Sequence, residues 1–140
     1  MPRIYRSMLR DGDRPAVGPS AKMLGVRVPP ADACDLRPDR NGEVGPGSGG
    51  MSVVPNWTDL PDYRIPARLR HVVSGARGKN NLACWRMGDG TFEPGIVAEQ
   101  LVLRPDAPDH GVVEPERRMH LANYILAIEA TRDLWSVDED

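Results

Sequence analysis

Three short segments of this 140-residue chain carry residue types that could do chemistry if the fold brought them together. Arg6 stands in the middle of Arg3-Ile4-Tyr5-Arg6-Ser7-Met8-Leu9, where Ile4, Arg6 and Met8 alternate with Tyr5, Ser7 and Leu9. A guanidinium mounted on a strand is a rigid fork that matches a phosphate or pyrophosphate. On an ordinary amphipathic strand the same arginine simply faces water. Gly49-Gly50-Met51-Ser52-Val53 sets two glycines before a serine. Gly49 and Gly50 let backbone approach a ligand closely, and Ser52 can offer a hydroxyl; alone, the segment reads as a tight turn. His110 and Glu114 lie four residues apart in His110-Gly111-Val112-Val113-Glu114-Pro115. On a strand that spacing puts both on one face, hence on one cleft wall.

The elements that must hold these residues are short. Alternation predicts strands over 3–9, 51–54, 82–87, 100–105 and 110–115, with turns at Asp11-Gly12-Asp13 and Gly88-Asp89-Gly90. Residues 29–50 read as loop, and in 55–81 Trp57, Leu60, Tyr63 and Ile65 anchor a loop or single helical turn to the core. One helix is expected over 117–135, where Leu121, Tyr124, Ile125, Ile128 and Trp135 form an apolar stripe. Strands first and a helix last give an antiparallel-leaning α+β domain spanning 1–140, without the βαβ alternation of a dinucleotide-binding fold.

Composition narrows the function classes. Glycine and proline contribute 14 residues each, which implies many defined turns and few long helices. The formal charge of −2 supplies no global field toward nucleic acid or a membrane. Charge is nevertheless uneven: Arg64 to Lys79 holds five Lys/Arg and one His without an acid, while Asp138-Glu139-Asp140 is wholly acidic. The basic stretch is either a solvated face or a phosphate- or nucleotide-facing lobe. Cys34 and Cys84 have no metal-ligand spacing and read as isolated thiols. No HExxH, GxSxG or CxxC occurs, and Gly45-Pro46-Gly47-Ser48-Gly49-Gly50 lacks the Lys-Ser/Thr of a P-loop. The charged N-terminal segment is no secretory signal, and no stretch reaches membrane-spanning length. A cytoplasmic protein without membrane or metal is expected.

The order Tyr5-Arg6, Gly18-Pro19-Ser20, Gly47 with Gly49-Gly50-Met51-Ser52-Val53, then His110 with Pro115 and Met119, resembles a group of small bacterial proteins. These are cytotoxic effectors exported by type VI secretion, with an ADP-ribosyltransferase-like fold. The resemblance runs from residue 4 to the closing helix, and leaves 55–98 unmatched. It implies a toxin-like, NAD-dependent transferase acting on a macromolecular target, with a cognate immunity protein and delivery that needs no signal peptide. It assigns NAD binding to Arg6, Tyr5, Gly50 and Ser52, and catalysis to Glu114, His110 and Ser52. Glu99, just before the strand 100–105, is the rival acid. Such a carboxylate would stabilise the positive charge at C1′ as nicotinamide leaves. The alternatives are a non-catalytic interaction module that keeps the fold, and an RNA- or nucleotide-phosphate-processing relative that uses the basic stretch.

Overall fold

A computed structural model describes all 140 residues, Met1–Asp140. It is an α+β structure of mostly antiparallel sheets with one α-helix near its C-terminus. Strand β1 (Ile4–Asp11) turns at Gly12, whose φ of +65° suits glycine, into the two-residue β2 (Arg14–Pro15). A long loop leads to β3 (Glu43–Val44) and then β4 (Met51–Val53). After 3-10 turns at Trp57–Asp59, Asp62–Arg64 and Ala67–Leu69 come β5 (Leu82–Met87), β6 (Gly95–Ala98), β7 (Leu101–Ala107) and β8 (His110–Pro115). The chain closes with β9 (Met119–His120), α1 (Leu121–Glu129) and β10 (Ser136–Val137).

Two sheets carry the architecture, with orders β10-β5-β1-β2 and β4-β8-β7-β6. β1 and β5 pair over six residues, from Ile4 opposite Met87 to Leu9 opposite Leu82. One isolated backbone bridge links the end of β4 to β1: Tyr5 N–H donates to Val54 O at 2.8 Å and Val54 N–H returns to Tyr5 O at 3.0 Å. Beyond that pair no ladder joins β1 to β4, so a gap opens beside Arg6 and Ser52.

β1 is buried on both faces because a separate core lies against each. Ile4 and Met8 point into the main core with Trp85, Met51, Leu103, Val113, Tyr124 and Ile128. Tyr5 points into a smaller core with Cys84, Val54, Trp57, Ile65 and Leu69, roofed by the segment after β4. Tyr124 ties the helix to the second sheet: its hydroxyl donates to Val113 O and accepts from Met51 N–H.

The helix is shorter than its apolar stripe predicts. Met119–His120 pairs with β3 instead of turning, and the His120 ring accepts from Ala122 N–H as an N-cap. Thr131 Oγ1 donates to Ile128 O at 2.7 Å, and the chain then bends so that Trp135 reaches the core from outside the helix. Leu121, Tyr124, Ile125 and Ile128 keep the expected stripe. Trp57 and Ile65 anchor the 55–81 segment, but Tyr63 does not: it is 55 % exposed. The acidic tail is a counter-charge to the basic stretch. Glu139 takes both Nη groups of Arg68, at 2.7 and 2.8 Å, and Asp138 pairs with Arg86 at 3.1 Å. No helix is long and apolar enough to cross a membrane.

Candidate functional site

The gap between β1 and β4 is a cavity of about 210 Å³. Arg6 and Ser7 line it from β1, Ser52 and Val53 from β4, and His110 from the start of β8. Arg27, Asp35, Tyr63 and Arg64 complete the wall from the two long loops. Arg6, Ser52 and His110, separated by scores of residues in sequence, therefore meet in one place.

Arg6 is not a wet-face residue. It is only 5 % exposed and lies among backbone carbonyls. Nε and Nη2 donate to Met23 O at 3.1 and 3.0 Å, and Nη1 donates to Ser52 O at 2.8 Å. Longer Nη2 contacts reach Ser20 O and Gly25 O. The guanidinium forms no ion pair, and burial in this neutral shell lowers its pKa to about 10. The arginine thus clasps the loop around residues 20–25 to β4, and carries an unmatched charge while doing so.

The cavity's carboxylate is Asp35, and its charge is already matched. Arg27 Nη2 donates to Oδ1 at 2.8 Å, while Arg27 Nε and backbone N–H donate to Oδ2 at 3.1 and 2.7 Å. The Asp35 side chain is 8 % exposed, and this fork raises the pKa of Arg27. With Arg6 and Arg64 left over, the lining is net positive.

His110 sits at the rim, 40 % exposed, with Nδ1 2.6 Å from Asp106 Oδ1. The pairing of β7 with β8 slips by one residue between Pro105 and Ala107, and Asp106 is the residue inside that bulge. A bulge of this kind re-aims a side chain. With Nδ1 engaged, Nε2 is the ring atom left for a ligand.

The other expected site residues lie elsewhere. Glu114 shares the His110 face of β8 but is absent from the cavity wall: Arg104 Nε donates to it at 2.9 Å and Gly47 N–H at 3.1 Å, sealing it at 4 % exposure. The expectation of one cleft wall for His110 and Glu114 is corrected by this cover, because four residues along β8 the strand has already run beyond the cavity. Tyr5 points to the opposite side of β1, where its hydroxyl donates to Asp138 Oδ2 at 2.9 Å. Gly50 serves packing, since a Cβ there would stand 2.3 Å from Val113 O; at Gly49, with φ +106°, it would stand 2.3 Å from Asp35 O. Both glycines admit protein backbone where a ligand was expected. Glu99 is exposed in the β6–β7 turn, and borders a separate hollow of about 860 Å³ over α1 with Arg117, Arg118 and Leu126. There Arg118 is already paired with Asp39 and Glu43.

Arg27, Asp35 and Asp106 gave no signal in the sequence, because their pairings depend on loop closure and a bulge. The acid-free stretch from Arg64 did signal a cationic lobe, and Arg64 is its one member in the cavity. Compared with known proteins, the chain matches no family model and no curated sequence.

Proposed function

We propose that this chain is a toxin-like, NAD-dependent ADP-ribosyltransferase whose β1–β4 cavity takes the ribose and adjoining phosphate at the nicotinamide end of NAD. The architecture is read as ADP-ribosyltransferase-like on the same grounds. Arg6 is the observation that carries the reading. A buried guanidinium without a carboxylate partner is costly, and an anion would offset that cost. Nη1 gives one hydrogen to Ser52 O and has a second to offer. Arg64 adds a further positive charge on the wall. The ordered resemblance in Tyr5-Arg6, Gly49 to Val53, and His110 to Met119 supports the same assignment.

In this reading the bond between C1′ and nicotinamide breaks, nicotinamide leaves with the bonding electron pair, and a target nucleophile takes its place. Positive charge builds at C1′, where a fixed carboxylate stabilises it. Asp35, not Glu114, is the carboxylate on the cavity wall. Arg27 occupies three of its roughly four acceptor positions and leaves one for a ribose hydroxyl. Ser52 and His110 Nε2 are the remaining groups that could position the ribose and amide.

Calorimetric titration with NAD tests the binding, and incubation of labelled NAD with cell extract tests the transfer. Labelled ADP-ribose should appear on an extract component, and expression should arrest a bacterial host that lacks an immunity partner. A harmless protein that neither binds nor consumes NAD would discard the proposal in favour of an interaction module. The His110–Asp106 pair beside Arg6 and Arg64 favours one second reading, proton transfer at a phosphodiester. Cleavage of RNA without NAD would select it.

A further inference from the structure

From the cavity's size and rim we infer that Tyr63 is a stacking platform for the aromatic base of a nucleotide whose phosphate is held at Arg6. The inference rests on the proposed anion site and adds to it the class of ligand. About 210 Å³ is less than the roughly 300–1,000 Å³ of pockets that enclose a whole drug-sized ligand. A phosphate with its sugar can enter, and an attached heterocycle must lie on the rim. Two rings stand on that rim: the His110 imidazole, tied to Asp106, and the larger Tyr63 phenol ring, 55 % exposed.

A solitary exposed aromatic is ordinary, so the argument turns on how Tyr63 is mounted. Its backbone is pinned on both sides. Arg64 N–H donates to Pro61 O at 2.8 Å, Arg77 N–H to Asp62 O at 2.9 Å, and Ser7 Oγ to Arg64 O at 2.6 Å. Ile65, two residues on, is wholly buried. The ring therefore faces solvent from a pinned backbone, so that stacking on it has only two side-chain torsions to order. The Arg64 guanidinium lies 5.2 Å from the ring centroid. Ring and guanidinium together form the kind of surface on which bases stack, since both tolerate any π-face and the cation also attracts the phosphate.

Titration of ADP and of inorganic pyrophosphate into the wild type, Tyr63→Ala and Tyr63→Phe separates base from phosphate. The wild type should bind ADP more tightly than pyrophosphate. Tyr63→Ala should weaken ADP by about tenfold or more, as loss of one stacked base does, and leave pyrophosphate unchanged. Tyr63→Phe should retain ADP. Thermal melts of the variants establish that each is folded, which an exposed position favours. ADP affinity unchanged in Tyr63→Ala, or ADP and pyrophosphate weakened alike, would overturn the platform while leaving the anion site standing. A wild type that binds neither probe nor NAD would overturn both.

Discussion

Replacing Arg6 by methionine keeps the length and removes the charge, so it weighs the clasp against the cost of burying a cation. With the forked contact of Nε and Nη2 on the single Met23 O counted as one bond, the short bonds to Met23 O and Ser52 O are charge-assisted, each worth about 1.5–3 kcal/mol, or about 3–6 together. Against them stands the burial that lowers the pKa to about 10, which disfavours the cation by about 3 kcal/mol. Arg6→Met should therefore cost about 0–3 kcal/mol without ligand, less than the 3–5 typical of breaking a buried ion pair. For a chain of this size 1 kcal/mol is about 3 °C, so Tm should fall by no more than about 10 °C. Ligand reverses the comparison. NAD at a hundred times its Kd should stabilise the wild type by about 2.7 kcal/mol, or about 8 °C, and Arg6→Met by nothing. Arg6→Lys should recover part of the stability and little of the ligand shift, because an ammonium lacks the fork. Thermal melts followed by circular dichroism, with and without NAD, read both quantities. A full ligand shift in Arg6→Met would refute the anion-anchor argument, and a loss above about 5 kcal/mol without ligand would refute the near-balance of clasp and buried charge.

Asp35→Asn should lower NAD consumption by about 10²–10³-fold if this carboxylate faces C1′, whereas Glu114→Gln should leave turnover intact. Glu114→Gln should instead cost about 1–3 kcal/mol in urea denaturation, through the Arg104 and Gly47 bonds; a loss of turnover confined to Glu114→Gln would return the catalytic role to that residue. Burial pushes the Cys84 thiol up to about 12, with Glu139 nearby adding to the shift. A thiol with its folded pKa above the unfolded value loses stability as pH rises, so between pH 8.5 and 10 the folded state should weaken by up to about 2 kcal/mol. The raised tyrosines and the lowered Arg6 act mainly above that window. Cys84→Ala should flatten the slope; an unchanged slope would assign the loss to other groups. The same burial should leave Cys84 unlabelled by a thiol reagent at pH 8, while the partly exposed Cys34 reacts.

Local pattern was enough to locate the principal strands of this protein, because side-chain alternation is a property of a few consecutive residues. β5 and β8 fall where alternation in Leu82–Met87 and His110–Pro115 puts them, and the opening strand begins as expected. The apolar stripe identified the core face of the helix but not its ends. Those depend on β3 capturing Met119 and His120, and on Thr131 bonding back to Ile128, neither of which is periodic. The three residues Arg6, Ser52 and His110 that residue type singled out do line one cavity, yet the groups that surround them were not legible. Tertiary structure alone decided that Arg6 lies among carbonyls, that Asp35 and not Glu114 is the carboxylate of the cavity, and that Gly49 and Gly50 admit backbone. The physical reason is common to all three. Sequence spacing sets which face of a strand a side chain leaves from, while the groups that cover that face come from loops and neighbouring strands placed by contacts far along the chain.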